Sequence, residues 1–225
     1  MKKFIIALTV LAMCLSVCGC EGKDTVKAET TDTVTETPAP VKEENPIKKT
    51  YNYTNGTTWG WDTYEYDNEG RLTFTRSYDA DGKAEPYTEE VYAEDGTHTE
   101  TIHYLATGAL WYRDVYEYTD GVATKKKSVM NDGSSGGYSV FEYDGNGLLV
   151  KDTWYNESGV SDYYYVFEYD TAGKCIMGTH YSADGTLEYY YETVYGEHGR
   201  KVKDIWYNAD GTLDSTWCGY EYSDK

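Results

Sequence analysis

The sequence predicts an all-β fold: an antiparallel array of tandem β-hairpins, laid out as a meander or spiral sheet behind an N-terminal signal helix and a disordered linker. Three observations predict it. Glycines recur every 26 residues, with one interval of 25 in each series, in two interleaved series. The stretches between them, about eight residues each, are rich in Tyr, Trp, Thr and Val, which is strand composition and strand length. Tyrosine also replaces the usual aliphatic core: the 225 residues hold 26 Tyr and 6 Trp, yet only 23 of the 175 residues from 51 onward are Leu, Ile, Val or Phe. So few aliphatics alone would suggest disorder, but disordered chains lack aromatics. A net charge of -19 argues against a nucleic-acid partner, because a phosphate backbone needs clustered Lys and Arg.

Residues 1–19 have the plan of a secretory signal: Lys2 and Lys3, an apolar run from Phe4 to Val17, then small residues. The run is shorter than the roughly 18–20 apolar residues that span a bilayer. Val17-Cys18-Gly19-Cys20 resembles the lipobox of bacterial lipoproteins. That resemblance implies lipidation (palmitate among the acyl groups) at Cys20 as the first mature residue, and a membrane partner through the lipid. Residues 20–50 then read as lipidated cysteine and flexible linker, because Glu21 to Thr50 lacks aromatics and is rich in Thr, Glu, Lys and Pro. This linker has 7 acids and 5 bases against 32 and 13 in residues 51–225, so the acidity belongs to the folded body.

The repeat domain, 51–225, is set by its glycines. Gly70, Gly96, Gly121, Gly147, Gly173 and Gly199 form one series, and Gly56, Gly82, Gly108, Gly133, Gly159, Gly185 and Gly211 the other. Two series mean two turns per repeat. Turns of the form Tyr-Asp/Asn-x-x-Gly, such as Tyr66 to Gly70 and Tyr207 to Gly211, suit a type I turn closed by a left-handed glycine and a G1 bulge. Tyr66, Tyr92, Tyr118, Tyr143, Tyr169 and Tyr195 recur at one height before the first series. With Tyr64, Tyr116, Phe141 and Phe167, and with Tyr78, Tyr104, Tyr155, Tyr181 and Tyr207 on the returning segments, they are expected to form one tyrosine face. Glu65, Glu117, Glu142 and Glu168 mark the other, a candidate working surface.

Tyr64-Glu65-Tyr66-Asp67-Asn68-Glu69-Gly70-Arg71-Leu72 resembles the YD repeat of RHS and teneurin-like proteins. Phe141 to Leu149 and Phe167 to Cys175 are close variants of it. The likeness implies a spiral of hairpins serving as shell, spacer or surface adhesive. The unit here is longer and the repeats too few to close a shell, so encapsulation is not expected. A looser likeness is to aromatic cell-wall-binding repeats.

No constellation nominates catalysis, a metal or a cofactor. His103 and His180 share the repeat position of Trp154 and Trp206, which makes them members of an aromatic column. Asp79-Ala80-Asp81-Gly82 lacks the later ligands of a calcium loop. Cys175 and Cys218, on strands three steps apart, lie beyond disulfide reach and are expected to be free or reactive. Trp59, Trp61, Trp111, Trp154, Trp206 and Trp217 are the candidate binding residues, since exposed rings stack on sugars or present rigid contact area to proteins. The expected function is a non-enzymatic, membrane-anchored bacterial surface lipoprotein that binds a cell-wall or host glycan, or a surface protein. A ligand-free envelope stalk or spacer, and a glycan hydrolase, are the alternatives.

Overall fold

The computed structural model describes residues 45–223. The signal segment, Cys20 and the linker up to residue 44 lie outside the described residues. Fourteen strands follow in order: β1 (Pro46–Tyr53), β2 (Thr58–Tyr66), β3 (Leu72–Asp79), β4 (Ala84–Tyr92), β5 (His98–Tyr104), β6 (Leu110–Thr119), β7 (Val122–Met130), β8 (Ser135–Tyr143), β9 (Leu149–Tyr155), β10 (Ser161–Tyr169), β11 (Cys175–Ser182), β12 (Leu187–Tyr195), β13 (Lys201–Asn208) and β14 (Leu213–Tyr222). Each is antiparallel to its chain neighbours, and β14 also pairs with β1. The expected meander or spiral is therefore corrected to a closed barrel. The first strand takes in Pro46 to Thr50, residues that read as linker in the sequence.

The turns follow the predicted chemistry. At the first, Gly70 N–H donates to the Asp67 carbonyl at 3.0 Å with a φ of 82°. The Asp67 carboxylate accepts the backbone N–H groups of Glu69 and Arg71, each at 2.9 Å. Asp144 and Asp170 repeat this pattern. Asp79 does too, accepting from Asp81 and Lys83, so the apparent calcium-loop fragment is a hairpin corner. The tyrosine before each first-series glycine also has a physical cause. Tyr66, Tyr92, Tyr118, Tyr143, Tyr169 and Tyr195 donate through their hydroxyls to the carbonyls of Pro46, Leu72, His98, Ala123, Leu149 and Cys175. Each bond ties the end of one strand to the start of the strand before it. Tyr222 makes the same bond to Lys201, so the ring of seven includes a member after the last turn.

Closure is a repeat cut in half. Within a hairpin, Tyr195 pairs with Lys201 and Val194 with Lys203, leaving Val202 as the bulge. At the seam, Tyr222 pairs with Pro46 and Glu221 with Lys48, leaving Ile47 as the bulge. β14 and β1 therefore make a seventh hairpin that lacks only its turn. Asn45 Nδ2 donates to the Gly70 carbonyl at 2.6 Å just as Lys174 Nζ donates to Gly199, 25 residues on, at 2.7 Å. A circular permutant joining Tyr222 to Pro46 through an Asp-x-x-Gly turn and opened at Gly121 should fold to the same far-UV spectrum, with its melting temperature within about 5 °C. Loss of the cooperative transition would show that the native ends are required at the seam.

The bulge also decides the faces. It inserts one unpaired residue per hairpin, and a one-residue shift moves every side chain to the other side of the sheet. Tyr64, Tyr116, Phe141 and Phe167 therefore point inward, whereas Tyr78, Tyr104, Tyr155, Tyr181 and Tyr207 point outward. The expectation of a single tyrosine face is corrected to two aromatic sets, one on each side of the wall. Glu65, Glu117, Glu142 and Glu168 lie outside, as expected.

Candidate functional site

The inner wall is polar as well as aromatic. On returning strands one inward position holds Lys49, Thr75, Thr101, Lys126, Asp152, Gly178 and Asp204, and the next holds Tyr51, Ser77, His103, Ser128, Trp154, His180 and Trp206. The second set confirms the repeat position proposed for His103 and His180. His103 stacks on Tyr112 with centroids 4.0 Å apart, and His180 on Tyr189 at 4.6 Å.

Two buried charge clusters stand on this wall. At the seam, Lys49 is 2% and Asp204 0% exposed, with Nζ 3.9 Å from the carboxylate. The pair reaches across β14, whose Tyr220 hydroxyl donates to Asp204, as does Thr193 at 2.8 Å. The rings of Tyr51, Tyr220 and Trp206 surround the ammonium at 5.0, 5.4 and 5.7 Å, so cation–π attraction adds to the ion pair. Beside it, Tyr51 donates to Asp62 at 2.5 Å. Burial nonetheless raises the Asp62 carboxyl, outweighing the hydrogen bond from Tyr51, the nearby Ser77 hydroxyl and the charge of Lys49. Burial also pushes the Cys218 thiol up to about 12, against the pull of Lys49.

The second cluster spans β5 to β9. Asp114 lies 3.5 Å from Lys126 Nζ and 3.3 Å from His103 Nε2, and accepts from Ser128 at 2.5 Å. Burial pushes Asp114 up, but Lys126, His103 and Ser128 outweigh it and hold the carboxyl low. Asp152 has Lys126 and Ser139 near it, yet burial wins and its carboxyl is raised. Lys125 and Lys127 flank Lys126 on the outer face, over the Tyr138 ring and against Glu117. The three consecutive lysines are therefore divided between the two sides of the wall, and the middle one is a buried ion-pair partner of Asp114.

The six tryptophans do not gather into one surface. Trp154 and Trp206 point inward, against Tyr163 and Tyr191. Trp59 sits at a bulge with its ring 4.7 Å from Tyr51. Trp61 and Trp217 are on the outer face on either side of β1, with Lys48 and Lys203 over their rings. Trp111, like Trp59, sits unpaired at a bulge, edge-on to Tyr112 and 46% exposed. Cys175 and Cys218 are both buried and are not bonded to each other. Of the two expected alternatives, free or reactive, Cys218 fits the first: it is 1% exposed and its thiol is shifted away from thiolate.

Outside, sequence reasoning missed a belt of stacked aromatic pairs near the rim of the second glycine series. The pairs are Trp61–Tyr78, Tyr87–Tyr104, Tyr138–Tyr155, Tyr164–Tyr181 and Tyr190–Tyr207, with centroids 5.4, 4.7, 4.9, 5.0 and 4.9 Å apart. The partners face each other across hairpins, so successive pairs lie two strands, roughly 10 Å, apart, except between Tyr87–Tyr104 and Tyr138–Tyr155, where β6 and β7 carry Arg113 and Val129 instead and the gap is four strands. Their signal was present in the sequence as aromatics five residues after the second-series glycines: Trp61, Tyr87, Tyr138, Tyr164 and Tyr190. Charges stand mid-strand on the same face: Arg76, Glu89, Arg113, Lys127, Lys151 and Lys203. Among the described residues no group of three or more His, Cys, Asp or Glu side chains is placed to hold a metal ion.

No family model and no curated protein matches the chain. Among solved structures it is similar to a porin-like protein from Bacteroides uniformis ATCC 8492 (12% identity, 80% of this chain and 99% of that one, TM-score 0.46). A porin-like protein from Bacteroides vulgatus ATCC 8482 gives 9% identity, 81% and 100% coverage and a TM-score of 0.47. The Tc holotoxin pore of Photorhabdus luminescens gives 14% identity and a TM-score of 0.32 over 70% of this chain, which spans only 9% of that one. At these scores none of the three assigns a role to this barrel.

Proposed function

We propose that the chain is a bacterial surface lipoprotein, lipidated at Cys20, that holds its barrel in water outside the membrane as a non-enzymatic binding or adhesion module for a glycan or a surface protein. The observation that carries this reading is the outer wall. Its mid-strand Arg and Lys side chains would each cost about 2–4 kcal/mol at the midplane of a bilayer, so the wall suits water, and its aromatic belt offers a series of stacking faces. The belt lies at the rim opposite Asn45. The buried carboxylates have structural partners in Lys49, Lys126, Tyr51, Tyr220 and Ser128, which favours binding over catalysis. The lipobox and the YD-like turns are consistent with a surface role.

Two measurements test this. Cys20→Ala should release the protein from the membrane fraction into the soluble one. Pull-down on peptidoglycan, teichoic acid and host polysaccharides should enrich the wild type on one of them, and the triple variant Tyr138→Ala, Tyr164→Ala, Tyr190→Ala should lose about tenfold or more. Retention by no glycan, or undiminished retention of the triple variant, would leave the spacer reading, which is favoured by the fact that each belt ring already has a stacking partner.

A further inference from the structure

One sector of the inner wall is both short of rings and uncovered. On β3 and β4 the inward side chains include Thr75, Ser77, Pro86 and Thr88; β7 and β8 are also short of rings, with Ser128, Gly137 and Ser139, but there the Trp154 ring lies against Gly137. Ser77 stands at the position of Trp154 and Trp206, and Thr88 at that of Tyr165 and Tyr191. Thr75, Ser77 and Thr88 are half-buried and Pro86 is exposed, so solvent reaches the wall here from the second rim. A carboxylate stands at each end of the strip. Asp62 on β2 is directly opposite Ser77, and Glu90 on β4 is two residues along from Thr88. Thr75, opposite both Tyr64 and Thr88, is the diagonal neighbour of both acids, about 7–8 Å from each.

Both acids are more than nine-tenths buried, Asp62 at 5% and the Glu90 side chain at 4% exposed. Each has one oxygen engaged. Asp62 Oδ2 accepts from Tyr51, and Glu90 Oε2 accepts from Thr101 at 2.6 Å and meets His98 Nε2 at 2.7 Å. The other oxygen of each, Asp62 Oδ1 and Glu90 Oε1, is buried without a hydrogen-bond partner among the described residues. A buried carboxylate oxygen lacking a donor is costly, and two of them bracketing a strip of hydroxyls call for a donor-rich cation.

We propose that the inner wall between β2 and β5 is a binding site for a primary ammonium compound, one carboxylate taking the ammonium and Thr75, Ser77 and Thr88 the remaining polar groups. An amino sugar and a linear polyamine share this chemistry. The site is separate from the outer belt and does not depend on it.

The test is titration of the intact barrel with glucosamine, spermidine and, as the neutral control, N-acetylglucosamine, followed by calorimetry. Saturable binding of glucosamine or spermidine, at least tenfold tighter than the control and weakening as salt is raised, is the expected result. Which of the two amines binds identifies the source. Asp62→Asn should weaken binding by about tenfold or more, and Thr88→Trp, which fills the strip without touching a charge, should abolish it. No saturation by either amine up to about 10 mM, equal binding of the control, or unchanged binding in folded Thr88→Trp would each overturn the proposal and leave bound water as the partner of both oxygens.

Discussion

Lys49→Met is expected to lower the unfolding free energy by about 3–5 kcal/mol, because it leaves the Asp204 carboxylate buried with no cation beside it. Asp204 is fully enclosed, and Thr193 and Tyr220 supply it with hydrogen bonds but no charge. The loss falls on the one strand pair with no covalent turn, so unfolding should begin by separation of β14 from β1. Lys49→Met combined with Asp204→Asn should recover most of the loss, since the amide carries no charge; its oxygen accepts from one of the two hydroxyls and its NH2 donates to the oxygen of the other. Lys48→Ala supplies the contrast. Lys48 meets Glu221 at 3.1 Å on the outside of the same seam, with side chains 35% and 56% exposed, and removing it should cost less than about 1 kcal/mol. Urea titration of the four proteins measures all of this. A double variant no more stable than Lys49→Met would place the loss in the packing of the lysine stem among its three rings.

Alkali should unfold the barrel cooperatively between about pH 10 and 11. Burial, helped by Asp62, Asp204 or neighbouring tyrosines, raises Tyr51, Tyr64, Tyr116, Tyr165 and Tyr220 far above an ordinary phenol. In the unfolded chain the same residues ionise near pH 10. Above that pH the unfolded state binds fewer protons than the folded one, so stability falls as pH rises. The stabilisation is fully present below the unfolded value and declines until the folded values are reached. At pH 11 each of the five withdraws about 1.4 kcal/mol, roughly 7 kcal/mol together, comparable with the whole stability of a typical domain. Tyrosinate absorbance and far-UV ellipticity followed along a pH titration should change together. Gradual ionisation of these tyrosines with the ellipticity unchanged would show that solvent reaches them in the folded barrel.

The repeat was legible because its turns are local. Gly70 and its equivalents, the Asp67-type side chain and the tyrosine before it all act within a few residues, and each stands in the sequence at a fixed interval. Closure was not legible, because it depends on Pro46 to Thr50 pairing with residues more than 160 positions away, and that segment has the composition of the linker before it. The faces were half legible. Alternation placed Tyr64 and Tyr116 inside, but the bulge reverses the phase on every returning strand, so Tyr78 and its equivalents moved outside. The buried charges escaped for a related reason. Asp62, Asp114, Asp152, Asp204, Lys49 and Lys126 look like ordinary surface residues until their phase is compared with the inward rings, and only then do Asp114 and Lys126 become partners. The six candidate binding tryptophans do not share one surface, because their positions follow separate constraints: the inner column for Trp154 and Trp206, the outer face for Trp61 and Trp217, and bulges for Trp59 and Trp111.

The seventh hairpin makes the circumference of this protein a countable quantity. Because the seam repeats the register of every internal hairpin, insertion of one 26-residue unit would yield a ring of 16 strands using only contact types already present, and deletion of one a ring of 12. Each step changes the girth by two strand spacings, roughly 10 Å, and leaves the rim tyrosines, the bulges and the joint unaltered. Unequal recombination between such units would then resize the enclosed space in fixed increments, with no new joint to be evolved each time.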